Sequence, residues 1–424
     1  MTKIPLSLSN RSRALAGQPL VAMRNRFVEK NPVLSDDGPS FIARPGLAYW
    51  TTVGDGPIRA MYQQPGAFDD SAFVASGDEL WKLSRTGDAG NTMIFNGLVG
   101  ASSNATVNMA VTGDIGEIGP RLFFADGAGL YVYASDGFGV NTLTASAIVD
   151  GDAVSIANIY YRFSSGTLDA GTPDGTSGAP WRVLIGGTII QSLTNLFNAI
   201  NATGVAGTDY STALTAPHAS VRATAATVNA LYVRASSGGA GGNGIACAET
   251  GAGLSWATAT TSGGGSANVV QVPTPDGVGV IDVVNINNFV VVIPAQGAGI
   301  NGRFYWIEPG EVEIDPLNYA TAERSADPVN AVRVFNDQFW LLGQNTTEVW
   351  YPTGDADVPM LRLQNSTFDR GVQQGTAVQV KDSVILVDSF GAVIQISGGE
   401  KRLSTPDIEE VVRKAISYQN LRLL

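Results

Sequence analysis

The stretch QFWLLGQNTTEVWY, residues 338–351, decides how the rest of the chain is read. A run of aromatic and branched residues, a Gly/Asn turn and a second such run is the pattern of a β-hairpin. The same pattern recurs as FVASGDELWKL (73–83), LFFADGAGLYVY (122–133), FVVVIPAQGAGINGRFYWI (289–307) and SVILVDSFGAVIQI (383–396). The hairpins fall into two series stepping by about 45 to 50 residues, the repeat length of four-stranded propeller blades. Between Leu122 and Phe289 the gap is one such step plus roughly 120 residues, so the array reads as a β-propeller interrupted by an inserted domain.

Composition agrees with that architecture. A chain of 424 residues with 44% hydrophobic residues can bury a large core, and 50 Gly and 20 Pro suit frequent tight turns. No apolar run reaches the roughly 18 residues of a membrane helix. The opening MTKIPLSLSNRSRALAG has no apolar stretch of the length a secretory signal requires, so none is expected. A single cysteine, Cys247, excludes an intramolecular disulfide framework.

The inserted segment has its own texture. VSIANIYYRF and WRVLIGG read as strands, and Ile189, Leu193, Leu196 and Ile200 mark one amphipathic helix ending near Gly204. HASVRATAA and ALYVRASS alternate as strands facing that helix. Boundaries follow: a basic arm over residues 1–40, propeller over 41–147, a small inserted α+β domain over 148–272, propeller again over 273–403 and a C-terminal helix over 404–424. The two ends of the insertion must lie close together for the propeller to resume.

Motifs for chemistry are scarce. His218 is the only histidine, which excludes metal sites built on two or three His and leaves one candidate for a Ser/His/Asp triad, set beside Pro217 in the insertion. Gly239, Gly241 and Gly244 match the spacing of a dinucleotide fingerprint, but ACAETGAG follows where a helix is needed, so the run reads as a turn. The pairs Asp36-Asp37 and Asp69-Asp70 sit in turn-like surroundings, and no calcium-loop series is present. Trp81, Tyr131, Trp306, Trp340 and Trp350 recur at similar places in the hairpins, as blade core or as platforms for sugar stacking. No catalytic, cofactor-binding or metal-binding residue is assigned, and no enzymatic activity is expected.

Charge is uneven. Lys3, Arg11, Arg13, Arg24, Arg26 and Lys30 face only Glu29 in the first 34 residues, although the whole chain carries a net charge of −12. A basic arm thus precedes an acidic body. The arm is either solvated or seeks an acidic surface or nucleic acid. The acidic body is unsuited to gripping phosphates, whereas a lumen lined by carboxylates would let DNA slide.

The N-terminal third adds a resemblance. SNRSRALAGQPLVAMRNRFVEKNP followed by FIARPGLAYWTTVGDGPIRAMYQ resembles the opening of the tail nozzle, or packaged-DNA stabilisation, proteins of short-tailed bacteriophages. The matching positions are Ser12-Arg13, Asn25, Glu29, Asn31-Pro32, Arg44-Pro45-Gly46-Leu47 and the run from Gly54 to Tyr62. Where relatives carry an Asn-x-Tyr-Pro-Glu type stretch, this chain has Asn25-Arg26-Phe27-Val28-Glu29. It also stops soon after Thr405-Pro406-Asp407, a helix start, where relatives continue into further strands. Either the ring closes by pairing with the N-terminal region or the natural product is longer.

The resemblance implies a virion structural protein assembled in the host bacterial cytoplasm. It implies a homohexameric ring, a tail adaptor beneath the portal, tail fibre or needle proteins nearby, and double-stranded DNA passing through the lumen without sequence-specific binding. Arg11, Arg13, Arg24, Arg26 and Lys30 are the candidate contacts to a neighbour or the adaptor. The alternative is a glycan-binding or glycan-degrading propeller of the depolymerase kind, which needs converging carboxylates and exposed aromatics. A cellular propeller scaffold is a third reading.

Overall fold

In the computed structural model, the described residues are 26–29, 40–43 and 51–422, less 85–89, 101–105, 114–118, 298, 323–326, 356–357, 381–382 and 398. The chain divides into two compact units, Met1–Thr52 and Val53–Leu424. In the first, strands Arg26–Glu29 and Ser40–Ala43 pair antiparallel, with Arg26 opposite Ala43 and Glu29 opposite Ser40.

Among the described residues, the second unit contains seven four-stranded sheets, of which five, all antiparallel, are the blades of a β-propeller. Blade 1 runs Ile58–Gln63, Ala72–Ser76, Glu79–Leu83 and Thr92–Asn96. Blade 2 begins Asn108–Thr112, Arg121–Ala125, Leu130–Ala134. Its fourth strand, Asn268–Val272, comes only after the insertion and pairs with Leu130–Ala134. Blade 3 comprises Val280–Ile286, Phe289–Pro294, Arg303–Ile307 and Tyr319–Thr321. Blade 4 comprises Val329–Phe335, Gln338–Gly343, Thr347–Pro352 and Met360–Phe368. Blade 5 comprises Val378–Val380, Ser383–Val387, Val393–Ile396 and Glu400–Arg402. The five sequence hairpins are the second and third strands of these blades.

Burial on two faces explains why those runs are continuously apolar. Successive side chains of a strand point to opposite faces. Thus Leu122 and Phe124 pack toward blade 1, and Phe123 and Ala125 toward blade 3. Val290 and Val292 join the core with blade 2, whereas Val291 and Ile293 join the core with blade 4. Phe339 and Leu341 face blade 3, and Trp340 and Leu342 face blade 5. Among the described residues, no shared apolar cluster joins blade 5 to blade 1.

Turn chemistry fixes the register. Asn287-Asn288 and Asn336-Asp337, at φ of 50°, 66°, 54° and 56°, join the first and second strands of blades 3 and 4. Two consecutive left-handed residues make the tight turn whose twist matches a hairpin, and Asn and Asp tolerate it. Asp126 and Asp388 hold the next hairpin in blades 2 and 5. Asp126 accepts the Ala128 and Gly129 amides at 3.0 and 2.9 Å, and Asp388 those of Phe390 and Ala392 at 2.9 and 2.7 Å.

The insertion forms two further sheets. One orders Val221–Ala226, Ala230–Gly238, Phe138–Ala145 and Leu254–Trp256. The other orders Trp181–Leu184, Ile159–Ser164, Ala153–Ile156 and Cys247–Glu249, its first pair parallel. The helix Ile189–Asn201 starts at Thr188, whose hydroxyl accepts the Gln191 amide, and buries Leu193, Leu196, Ala199 and Ile200. One core of Leu143, Ile156, Phe163, Leu196, Val221 and Leu231 unites both sheets with the helix. After blade 5 a second helix spans Pro406–Arg422, with Asp407 and Glu409 in its first turn. Among the described residues no helix is long and apolar enough to cross a membrane.

Candidate functional site

Two places in the second unit concentrate charged side chains: a cleft at blade 5 and the neck of the insertion. The cleft, of about 430 Å³, is lined by Arg370, Asp388, Phe390, Glu400, Arg402 and Glu409 among others. It lies where the Pro406–Arg422 helix packs over the hairpin of blade 5. Arg370 reaches Asp388 at 2.9 Å and Glu400 at 3.2 Å. Arg402 pairs with Glu409, which also accepts the Ser404 hydroxyl at 2.6 Å. These bonds hold the Glu409 carboxyl below its ordinary pKa. Every carboxylate facing the cleft is thus committed to an arginine. Such an arrangement fastens the helix to the blade; a glycosidase instead needs one carboxyl held protonated to act as acid.

At the neck, the chain enters through Gly137 and leaves through 263–267. Asn268 clamps the two passes together, accepting the Phe138 amide at 2.9 Å and donating to the Phe138 carbonyl at 2.8 Å. A Cβ on Gly137, already at φ 63°, would stand 1.8 Å from the Ser266 carbonyl oxygen, so the close crossing requires glycine there. Phe138 lies between two guanidinium groups, Arg121 at 5.7 Å and Arg234 at 5.1 Å from its ring centre. Arg234 is fully buried and bonds Glu313 of blade 3 at 3.0 Å, with Arg222 on the other carboxylate oxygen at 2.5 Å.

The residues singled out in the sequence fall into structural roles or beyond view. His218 is buried, and its Nδ1 accepts the Ser220 and Val221 amides at 3.1 and 3.2 Å. Its Nε2 therefore carries the proton and donates to the Ile156 carbonyl at 3.0 Å. Burial lowers its pKa, and no ring nitrogen is left to deprotonate a serine. The glycine run forms a short turn, Ala240–Gly242, and Asn243 stitches it to Gly264 by two bonds of 2.8 Å, so it is part of the neck. Trp306, Trp340 and Trp350 are buried in the cores between blades, Tyr131 is half-buried in the core between blades 1 and 2, and Trp81 is half-buried on the other face of blade 1 against Val53, Ala72 and Val74. Asp70 accepts the Gly66 amide in a left-handed turn. Asp36 and Asp37 lie outside the described residues, as do Arg11, Arg13, Arg24 and Lys30 of the arm. Arg26 opens the strand pair of the first unit. Among the described residues no group of three or more His, Cys, Asp or Glu is placed to hold a metal.

Sequence reading missed the neck. Arg234 stands on the outward phase of ALYVRA, opposite Leu231 and Val233 and beside exposed Tyr232, so in the sequence it reads as a solvent-facing charge. Its partner, Glu313, is 79 residues away and gives no sign of itself.

Comparison with known proteins gives one family. Residues 244–422 match the model described as "Bacteriophage P22 Gp10, beta-propeller". No curated protein matches the chain. Among solved structures, BBS1N in complex with ARL6DN aligns at 11% identity over 85% of this chain and 83% of that one, with a TM-score of 0.26. Kluyveromyces lactis Hsv2 aligns at 8% identity over 82% and 75%, at 0.25. The computationally designed Ika8 protein aligns at 8% over 84% and 88%, at 0.23. Similarity at those scores carries no argument about fold or function.

Proposed function

We propose that this chain, whose residues 244–422 match the family model of a phage tail propeller, is a structural protein of a short phage tail and, more finely, a nozzle subunit. Six copies form the distal ring of a short tail, retain packaged DNA before infection and conduct it during ejection. The family match across blades 3 to 5 and the closing helix is the observation that carries this reading. Heterologous contacts between identical neighbours suffice to close such a ring. A net charge of −12 supports passage of DNA without adhesion, because like charge repels phosphates from the wall. The arm residues Arg11, Arg13, Arg24, Arg26 and Lys30 grip a neighbour or the adaptor under the portal by pairing with acidic surfaces. Fibre or needle proteins attach nearby.

The test is genome retention. Particles assembled without this chain are expected to fill with DNA and then lose it to added nuclease, and to keep it when the chain is supplied. Particles that hold their genome equally well without the chain would exclude the role. The glycan reading is tested beside it: the purified chain is expected to release no reducing ends from host surface glycan. Release abolished by D388N or E400Q would move the assignment to a depolymerase.

A further inference from the structure

We propose that Glu313 is a latch that locks the insertion onto blade 3, making the insertion a rigid bracket of the propeller and not a tethered passenger. The proposal goes beyond the nozzle reading and does not depend on it.

The latch is built from both sides. On the propeller side, Glu313 sits in the segment 308–318 between the third and fourth strands of blade 3. Its neighbours Val312 and Ile314 are buried in the core shared by blades 2 and 3. Between these two anchors the Glu313 side chain stays 22% exposed and points away from that core, onto the arginines of the insertion. On the insertion side, Arg222 and Arg234 lie directly opposite each other on adjacent strands, which places both guanidinium groups on one face of the sheet. That face is opposite the one carrying Val221, Leu231 and Val233 into the insertion's own core. One carboxylate takes both: Oε1 bonds Arg234 and Oε2 bonds Arg222.

Burial makes this contact decisive. Arg234 is 0% exposed, and its other partners are the Ala235 carbonyl at 3.0 Å and the Phe138 ring. A guanidinium cannot give up its proton, so without Glu313 it must stay charged in a dry site or regain water. Regaining water means lifting the sheet off blade 3. The neck permits that movement, since it consists of the Gly137 crossing and the glycines at 263–265, beside the Asn268 clamp. Phe138 itself belongs to the core between blades 2 and 3, so it is the pivot.

The experiment uses the full chain and limited trypsin digestion with hydrogen exchange read by mass spectrometry. In the wild type, amides of 222–238 are expected to exchange as slowly as those of Arg303–Ile307 in blade 3. E313Q is expected to speed cleavage after Arg222 and Arg234 at least tenfold while blade 4 and blade 5 amides keep their protection. The double variant E313L/R234M replaces the buried pair by apolar side chains and is expected to restore slow cleavage at Arg222. Unchanged cleavage in E313Q overturns the proposal. So does equal loosening of blades and insertion, which marks a merely structural role. If E313Q does not fold, the wild-type comparison decides: exchange in 222–238 well ahead of blade 3 contradicts a locked bracket.

Discussion

The blades and the insertion bury their apolar residues in different ways. A middle blade has no core of its own: Val290 and Val292 serve one interface, Val291 and Ile293 the next, so each sheet depends on both neighbours. The insertion instead closes one core from two sheets and a helix, and meets the propeller through Phe138 and the charged group around Glu313. Damage in a blade should therefore spread along the array, whereas damage in the insertion should stay local. This follows from where apolar area is shared, because cooperativity tracks contiguous packing.

The largest effect expected of a single change is at Phe304. It is fully buried between blades 3 and 4, 5.6 Å from Phe339 and 5.0 Å from Trp350 in edge-on geometry. Phe304→Ala should cost about 3 to 5 kcal/mol, and chemical denaturation should show the blades losing protection together. Loss confined to blade 3 would break the comparison from one side.

Leu196→Ala tests the other side. Leu196 is fully buried in the core of the insertion. About 2 to 4 kcal/mol should be lost from the insertion alone, with the propeller transition unmoved. Differential scanning calorimetry with exchange in 189–201 separates the two transitions; a common shift of both would contradict local containment.

A smaller loss is expected at Asp388, which holds a blade hairpin by two amides and Arg370. Asp388→Ala leaves buried donors unpaired, at a cost of about 1 to 3 kcal/mol. The change should be read as faster exchange at Phe390 and Ala392, not as a shift of the insertion.

The smallest effect concerns pH. Hydrogen bonds from Arg402 and Ser404 depress the Glu409 pKa below its ordinary value near 4.5. A depressed carboxylate contributes stability above its unfolded pKa and loses it as pH falls through the folded one. The first turns of the Pro406–Arg422 helix should accordingly loosen on acidification below that value, and Glu409→Gln should show the looser state already at neutral pH. Exchange at 408–412 against pH measures it, and an identical profile in the variant would rule the contact out as the cause.

The same contrast explains what was legible in the sequence. Runs such as Val290–Ile293 are apolar at every position because both faces are buried, so the hairpins announce themselves. Outer strands such as Tyr319–Thr321 and Glu400–Arg402 are short, the first half-buried and the second exposed, and nothing in their composition marks them. The helix Ile189–Asn201 was readable because one face is buried and one is wet. Where the insertion leaves and rejoins was not readable: Phe138–Ala145 pairs with insertion strands, while Asn268–Val272 returns to blade 2. Strand partners are set by long-range pairing that local pattern does not encode. The Arg234–Glu313 contact was hidden for the same reason, and the arm, which the sequence marks by its charge and by a family resemblance, lies almost wholly outside the described residues.

Electron cryomicroscopy of the phage particle would locate this chain in the tail and count its copies. Six copies of the propeller are expected around an axial channel at the distal end of a short tail, beneath an adaptor ring, each with its insertion in one fixed pose. Isolated propellers, or trimers carried on a fibre away from the axis, would contradict the nozzle role.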